Sequence, residues 1–361
     1  MKQAALLLLG GCSTIFGLSS PQHAIDATAT DAAPADTTDA TLDIPDAAPG
    51  HCVTQADCPN SVCLPTTVCA PETDVAWLSS NGVLLGGCTK AQPCVRMADA
   101  LSTMKPYIRV IGTITNLSSI SRDVQIFGEP GAGFSGNVQL NSGAVGLYSL
   151  SFTGGTCIQN QGATATIEHC VIHDCTSLGI NSNGPLTLDG STVTNCRSGG
   201  VVIGSQTFTI TNNFITQNGG GMTGDGGLTI QPTLAATGSR IDFNTIASNG
   251  IKSSTTGTAG GVFCDIAGFT LVGDVVVHNT VNGSTSAGNA NKGGQCTYAT
   301  SFVQPIDNIG FVSTAANNYH ITAQSPLRDV PGVATTLATD VDGESRPYGS
   351  GYDVGADEYH P

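Results

Sequence analysis

Five stretches of this chain share one pattern of β-branched residues, polar residues and glycines, and they decide the fold. They are ATIEHCVIHDCTSLGI (165–180), LTLDGSTVTNCRSGGVVI (186–203), FTITNNFITQNGGG (208–221), SRIDFNTIASNG (239–250) and FTLVGDVVVHNT (269–280). Aligned on one apolar position in each stretch, they repeat in steps of 21, 22, 31 and 30 residues, at Ile172, Val193, Ile215, Ile246 and Val276. About 22 residues make one coil of a right-handed parallel β-helix, in which three short strands per coil stack on those of the next coil. The pattern therefore predicts an all-β, three-sheet solenoid.

A second series follows three positions after the aligned residues and consists of Cys175, Cys196, Asn218, Asn249 and Asn279. Neighbouring strands lie about 4.7–4.9 Å apart, so stacked asparagine side chains can hydrogen-bond from coil to coil. The series predicts a structural asparagine ladder without a catalytic role. Because Cys175 and Cys196 would stack directly at about 4.8 Å, it also predicts a disulfide between them.

The first residues have the order of an export signal. Lys2 precedes an apolar run at 4–9 that is too short to span a bilayer. The run ends in Leu9-Gly10-Gly11-Cys12, which resembles the lipobox of bacterial lipoproteins. The resemblance implies a signal peptide over residues 1–12, cleavage before Cys12 and lipidation of its thiol. Ser13 at the next position implies sorting to the outer membrane.

Residues 13–50 read as a disordered tether. The stretch is dominated by Ala, Asp, Thr and Pro and contains no Lys or Arg. Low hydrophobicity combined with charge of one sign prevents burial of a core and extends the chain. Such a segment would separate a lipid anchor from a folded body.

The cysteine count favours disulfides. Of 13 cysteines, 12 are left once Cys12 is assigned to lipid, and an exported protein is expected to pair them. Four lie in HCVTQADCPNSVCLPTTVC (51–69), so residues 51–72 form a small disulfide-rich segment. A zinc site is the alternative there, but the spacing lacks the close C-x₂-C pairs of most such sites. Proximity suggests two further pairs, Cys88 with Cys94 and Cys264 with Cys296.

The repeats and the C-terminal motifs resemble known families. The coil form x-I-x-x-N/C-x-I-x-x-N/C…G-G-I/V is similar to the parallel β-helix repeats of the pectate-lyase-like superfamily. This implies a β-helix domain over 73–310, which includes a short N-terminal capping helix near 95–104. The motifs NYHI (318–321), SPL (325–327), DVDGESRP (340–347) and GYDVGADEY (351–359) resemble the closing segment of bacterial surface proteins described as choice-of-anchor Q, over 311–361.

Charge limits the classes of ligand. Lys and Arg number 12 against 27 Asp and Glu, a formal net charge of −15, which excludes the basic surface that nucleic-acid binding requires.

Polysaccharide hydrolases need two or three carboxylates on one face. Three acids, Glu168, Asp189 and Asp242, stand four residues before an aligned position and so share one column. We interpret the column as a water-facing row, with catalysis as the alternative.

A turn near the C-terminus has the start of a calcium loop. Asp340, Asp342 and Glu344 lie in Asp-x-Asp-Gly-Glu, where closely spaced oxygens could bind Ca²⁺. The alternative is a tight turn closed by aspartate hydrogen bonds. The sequence predicts no cofactor other than this calcium candidate.

One corner of the solenoid lengthens from coil to coil. Counted from each aligned residue to the next Gly-initiated strand, the connection runs 8, 8, 13, 16 and 19 residues. Equivalent turns of a solenoid stack, so the segments 219–226, 250–260 and 280–293 are predicted to form one flap on a binding face. The alternative is that these Gly/Ser/Thr loops differ in length without a function, because long surface loops cost little. Its charged residues are Asp225, Lys252 and Lys292.

Three functions fit these observations. The first is a non-catalytic surface lipoprotein whose β-helix binds a glycan or another cell-surface component. The second is a carbohydrate-active enzyme, a polysaccharide lyase or glycoside hydrolase, on the same fold. The third is a structural spacer. The fold does not decide between them.

Overall fold

The computed structural model describes residues 52–84, 86–115, 117–220, 226–233, 238–252, 259–286, 288, 290–304 and 308–361. The lipidation candidate Cys12, the predicted tether and Asp225 lie outside the described residues. Within the described ranges the chain winds into a right-handed parallel β-helix, which confirms the predicted fold class.

Three parallel sheets, here called A, B and C in the order in which each coil visits them, run along the solenoid. In the described residues sheet A has ten strands: Val75–Val83, Tyr107–Ile111, Val124–Gly128, Ala144–Tyr148, Thr164–Glu168, Leu186–Asp189, Phe208–Thr211, Arg240–Asp242, Thr270–Val272 and Thr297–Ala299. Sheet B has eight: Thr113–Ile114, Gly133–Ser135, Ser151–Thr153, Val171–His173, Thr192–Thr194, Phe214–Thr216, Thr245–Ala247 and Val275–Val277. Sheet C also has eight: Ile120–Ser121, Val138–Ser142, Ile158–Asn160, Leu178–Ser182, Gly199–Ile203, Leu228–Ile230, Val262–Cys264 and Lys292–Gly294.

The remaining elements are short. Gly250–Ile251 and Thr280–Val281 pair in parallel, and Phe311–Ser313 and Asn318–Ile321 form an antiparallel hairpin. In the part of the chain that the structure describes, one α-helix spans Met97–Ser102, and single 3₁₀ turns cover Gln55–Asp57, Glu72–Asp74 and Thr314–Ala316. Across the described ranges, every helix is too short or too polar for a membrane span.

The strand register in sheet B matches the alignment of the repeats. Ile172 pairs with Val193, Val193 with Ile215, Ile215 with Ile246, and Ile246 with Val276. All five side chains are fully buried in the central apolar core. Each coil therefore contributes the same apolar position to the core, as the spacing predicts.

The predicted asparagine ladder lies at the corner between sheets B and C. Asn249 Oδ1 accepts hydrogen bonds from the backbone N–H of Asn218 at 2.9 Å and from its side-chain amide at 3.0 Å. Asn279 Oδ1 accepts the same two bonds from Asn249, and the ladder continues to Asn291, which the sequence did not predict. At the sharp bend these backbone N–H groups cannot donate to a neighbouring strand, and they donate to the asparagine side chains of the ladder instead.

A second ladder, which the sequence analysis missed, lies at the corner between sheets A and B. Each member accepts a hydrogen bond from the backbone N–H of the member one coil earlier, in the series Ser191, Asn213, Asn244, Asp274 and Ser301. Asp274 therefore occupies a place that asparagine takes in the two preceding coils.

Asp274 holds a buried carboxyl group without a counter-ion in the described residues. Its Oδ1 accepts from the backbone N–H and the side-chain amide of Asn244, whereas its Oδ2 has no hydrogen-bond partner. One coil earlier, the amide nitrogen of Asn244 donates to the carbonyls of Ile210 and Asp242. Burial raises the pKa of Asp274 well above its ordinary value, so the folded chain favours the protonated carboxyl.

We expect Asp274→Asn to stabilise the protein by about 1–3 kcal/mol at neutral pH, because an amide nitrogen in place of Oδ2 would donate as that of Asn244 does, whereas Oδ2 has no partner. The unfolded chain releases the aspartate proton above about pH 4, while the folded chain retains it. Wild-type stability relative to the variant should therefore fall as the pH rises from about 4 toward the raised pKa. Urea denaturation across this range measures the effect. The matched variant Asn244→Asp should destabilise, and equal stability of all three proteins would contradict the explanation.

The N-terminal part of the body closes one end of the core and covers part of sheet A. Met97 and Ala100 of the helix are buried in the central core, as predicted for a cap. The disulfide-rich segment packs on the outer face of sheet A, where the Arg109 guanidinium donates to the carbonyls of Cys58 and Ser61. Arg109 also lies 5.0 Å from the centre of the Trp77 ring.

The C-terminal segment packs on the outer face of sheet B. Its residues Tyr319, Leu327 and Val354 share an apolar cluster with Phe214 and Val275 of the sheet. The Ala356 backbone N–H donates to the hydroxyl of Thr245 in sheet B at 3.0 Å, and Asn212 Nδ2 donates to the carbonyl of Thr339 at 3.0 Å. Residues 311–361 are therefore built onto the solenoid through both apolar and polar contacts.

Five disulfides are present among the described residues. In the N-terminal segment, Cys52 pairs with Cys63 and Cys58 with Cys69, so these thiols do not form the alternative zinc site. The structure also pairs Cys88 with Cys94 and Cys264 with Cys296, as proximity suggested. The fifth joins Cys157 to Cys175.

The predicted Cys175 to Cys196 disulfide is wrong. Cys175 bonds to Cys157, with their Cα atoms 5.7 Å apart, and Cys196 is a buried free thiol, as is Cys170. Residues at equivalent positions of successive coils have parallel side chains, so their Cβ atoms stay about 4.8 Å apart, beyond the usual separation in a disulfide. Cys157 lies two residues beyond the predicted column and approaches Cys175 from the other side of the corner.

Candidate functional site

The acidic column forms a row on the outer face of sheet A. Glu168 pairs in register with Asp189, Asp189 with Thr211, and Thr211 with Asp242. Tyr148 precedes Glu168 in the same column. The next column on this face carries Thr166, Thr187, Thr209 and Arg240 in register. We call these two columns, from Tyr148 to Asp242, the acidic window.

Two of the three carboxylates already have partners. Thr211 Oγ1 donates to Asp189, and Arg240 forms an ion pair with Asp242. Glu168 is half-buried and forms no ion pair with any described residue. Burial raises the pKa of Glu168, and the charge of Asp189 raises it further.

The aromatic end of the window borders the part of sheet A that the N-terminal segment covers. The Tyr148 ring stacks on the Phe127 ring at 4.7 Å between centroids and 12° between planes. Burial and the charge of Glu168 raise the pKa of Tyr148 to about 12, so its phenol is neutral at physiological pH and available to donate. The window therefore offers hydroxyl groups and carboxylate acceptors at a spacing of one coil.

The predicted loop flap is brought together only in part. Gly220, Gly250, Lys252 and Thr280, from all three predicted segments, line one shallow cavity of about 460 Å³, and Lys252 is exposed. Asp225 lies outside the described residues. The structure excludes Lys292 from the flap, because it begins a strand of sheet C and pairs with Val262.

The last predicted loop length is also wrong for that reason. Sheet C resumes at Lys292 and not at Gln295, so the connection from Val276 runs 16 residues, the same length as in the coil before. Asn291 joins the ladder directly before the strand and fixes its start one coil above Val262.

The calcium candidates form a turn in which Asp340 is committed to backbone groups. Its Oδ1 accepts from the N–H groups of Asp342 and Glu344 at 3.0 and 2.9 Å, and its Oδ2 accepts from that of Glu358 at 3.0 Å. The turn favours the hydrogen-bonded alternative over a calcium loop built on Asp340. Asp342 instead contacts His320, its Oδ2 lying 2.8 Å from His320 Nε2.

A third residue, Asp357, lies near the pair of His320 and Asp342. Its Oδ1 is 4.0 Å from the same imidazole nitrogen, Nε2, that contacts Asp342. Burial raises the pKa of Asp357 to about 7. Burial lowers the pKa of His320, but the hydrogen bond to Asp342 and the charge of Asp357 outweigh it and raise that pKa above its ordinary value. The three side chains line a cavity of about 400 Å³ together with Glu344 and His360.

The sequence motifs did not identify His320 and Asp357 as residues of a site. Both stand in the C-terminal motifs quoted above, His320 in NYHI and Asp357 in GYDVGADEY. A histidine and two aspartates in separate motifs are a weak signal, because only the folding of the segment brings them together.

Similarity to known proteins is found among solved structures. No protein-family model matches the chain, and no curated protein matches it. Among solved structures, the crystal structure of pectate lyase Pel9A is similar, with 13% sequence identity and a TM-score of 0.47. The similarity covers 79% of this chain and 96% of that one.

Proposed function

We propose that this chain is an exported lipoprotein of the outer membrane whose acidic window binds a neutral or amino-sugar glycan without cleaving it. The observation that carries the proposal is the row of hydroxyl and carboxylate groups that repeats once per coil on the outer face of sheet A. The row is partly exposed at Glu168 and Asp189 and buried at Thr211 and Asp242. Sugar hydroxyls donate to carboxylates and exchange hydrogen bonds with threonine hydroxyls, so such a row matches an extended chain of sugars.

The charge of the window supports neutral or cationic sugars. It contains three carboxylates and one cation, Arg240, which is already paired with Asp242. The chain as a whole carries a net charge of −15. Both features oppose the approach of a polyuronate, whose carboxylates would need a cation to neutralise them.

The partners of the acids support binding over catalysis. A glycosidase needs one carboxyl group as acid and a second as base or nucleophile. Asp189 accepts a hydrogen bond from Thr211, and Asp242 is ion-paired with Arg240. Among the described residues, Glu168 is the one acid of the window whose side chain has neither a hydrogen bond nor an ion pair. Enzymatic cleavage is the alternative that the experiment below distinguishes.

The test is glycan binding by the full chain, purified in detergent, to an array of neutral, amino-sugar and uronate oligosaccharides. The double variant Glu168→Gln/Asp189→Asn should lose at least tenfold in affinity for the glycan that the parent binds. Asp265→Asn, at an exposed acid outside the window, is the control and should bind like the parent.

Three outcomes would overturn the proposal. Equal binding by the double variant and the parent would remove the window from the site, and absence of binding to every glycan would favour a structural spacer. The appearance of new reducing or unsaturated sugar ends in the mixture, lost in the double variant, would establish the enzymatic alternative.

The lipid anchor is tested separately. We expect Cys12→Ala to shift the protein from the membrane fraction to the soluble fraction, because the substitution removes the thiol that would carry the lipid. Detergent phase partitioning of cells that express parent and variant measures the shift. The substitution Cys196→Ala, at a buried thiol, should leave partitioning unchanged. A Cys12→Ala protein that partitions like the parent would exclude the lipoprotein assignment.

A further inference from the structure

Three segments that are distant in the chain meet at one histidine. His320 lies on the second strand of the C-terminal hairpin, Asp342 on the turn that follows Val341, and Asp357 near the end of the chain. His320 Nε2 and one oxygen from each aspartate lie within 4.8 Å of one another. Asp357 is buried, with 5% of its surface exposed, whereas Asp342 is open to solvent.

Neighbouring groups orient the imidazole. Asn318 Oδ1 accepts from the backbone N–H of His320 at 3.1 Å, which identifies this atom as the amide oxygen. The same oxygen lies 2.8 Å from His320 Nδ1, so Nδ1 carries a proton and donates it. The other ring nitrogen, Nε2, faces the two carboxylates. A histidine that binds a metal typically donates its second N–H in this way.

The Asp357 carboxylate is held in the same manner, and Asp342 lies on a fixed turn. Asp357 Oδ2 accepts from the backbone N–H of Ile321 at 2.7 Å, which leaves Oδ1 facing the imidazole. The backbone N–H of Asp342 donates to Asp340, so the turn that carries its side chain is fixed. Each of the three groups thus presents one atom to a common point. A second side-chain atom is held in His320 and Asp357, and a hydrogen-bonded turn carries Asp342.

The charges at this point match a cation. With Nδ1 protonated, a neutral imidazole would direct the lone pair of Nε2 at two carboxylate oxygens, which repel it. A proton on Nε2 would relieve the contact but would add only one positive charge. Asp342, Asp357 and Glu344 line the same cavity, so a divalent ion balances their charge better.

We propose that His320, Asp342 and Asp357 bind a divalent transition-metal ion, for which Zn²⁺ is the best match. One imidazole and two carboxylates are ligands that zinc accepts at about 2.0–2.2 Å, whereas calcium binds oxygen ligands. The cavity of about 400 Å³ leaves room for water as a further ligand and for entry of the ion. The bound ion would hold the hairpin, the turn and the C-terminal residues together.

Zinc binding to the full chain in detergent, after removal of metals with a chelator, tests the site by competition with a chromophoric zinc ligand. The parent should bind one equivalent of Zn²⁺, and both His320→Ala and Asp342→Asn should lower the affinity at least tenfold. Asp342 is exposed, so Asp342→Asn keeps the test valid if His320→Ala fails to fold. Asn318→Ala should lower the affinity about 10–100-fold through loss of the orienting hydrogen bond.

Zinc should also raise the melting temperature of the parent and of the control Asp265→Asn, but not that of Asp342→Asn, because an ion that binds only the folded state stabilises it. Equal zinc affinity of parent and Asp342→Asn would overturn the site. If the folded parent did not bind zinc, the proposed metal site would be refuted. A protonated His320 would then be the group that contacts the carboxylates. Tighter binding of Ca²⁺ than of Zn²⁺ would refute the class of ion.

Discussion

Arg346→Ala should lower the free energy of unfolding of the C-terminal segment by about 3–5 kcal/mol, since removing one partner of a buried ion pair leaves the other charge uncompensated. The Arg346 side chain is fully buried, and its Nη1 lies 3.3 Å from the equally buried Glu358. The guanidinium also donates to the carbonyls of Asp353, Gly355 and Ala356 at 2.9–3.0 Å. One side chain therefore closes the last turn of the chain.

The loss should be local in origin. Arg346 lies 4.8 Å from the Phe243 ring at the corner between sheets A and B, so it also helps to attach the C-terminal segment to the solenoid. Limited proteolysis should release residues near the C-terminus from Arg346→Ala under conditions in which the parent resists. Arg346→Lys should fall between the two, because an ammonium group cannot reproduce the planar fork of donors.

The matched control is Arg197→Ala, at an exposed arginine. Its stability should differ from that of the parent by no more than about 0.5 kcal/mol. If Arg346→Ala and Arg197→Ala denatured at the same urea concentration and were cleaved at the same rate, the buried pair would not stabilise the segment.

Asn249→Ala should destabilise the solenoid by about 3–5 kcal/mol. Asn249 is fully buried in the ladder, and its Oδ1 accepts two hydrogen bonds from Asn218. Its Nδ2 donates to the carbonyl of Ile215 at 2.8 Å and to Asn279 at 3.0 Å. Alanine would leave several buried donors and acceptors unpaired, each at a cost of about 1–3 kcal/mol.

The shift of the urea denaturation midpoint measures this effect. Asn183→Ala, at an exposed asparagine, is the matched control and should leave the midpoint nearly unchanged. Asn249→Asp should also destabilise, because a carboxylate cannot donate to Ile215 and Asn279. Similar midpoints for Asn249→Ala and Asn183→Ala would show that the ladder contributes no stability.

The spacing of apolar residues was sufficient to predict the solenoid and its register. A β-helix buries the same position in every coil, so the alignment of Ile172 with Val193 and Ile215 is written in the chain as a periodic pattern. The asparagine ladder follows from the same register, because equivalent residues of stacked coils are neighbours. The column of Glu168, Asp189 and Asp242 was predicted in the same way.

The features at the corners of the solenoid could be established only from the structure. The partner of Cys175 depends on the direction of side chains at a bend, and Cys157 lies outside the aligned column. The start of the strand at Lys292 depends on where the chain rejoins sheet C after a long loop. The position of the glycines had predicted this start three residues too late. In both cases the periodic spacing ends before the residue in question.

The sequence by itself therefore determined the repeating architecture of this protein, the residues that fill its core and the acidic row on sheet A. Only the tertiary structure decided that the C-terminal segment packs on sheet B and that His320, Asp342 and Asp357 meet. The physical reason is that stacking repeats one local pattern in every coil, whereas the histidine cluster depends on contacts between segments that share no period. Each such contact occurs once in the chain, and spacing alone does not encode it.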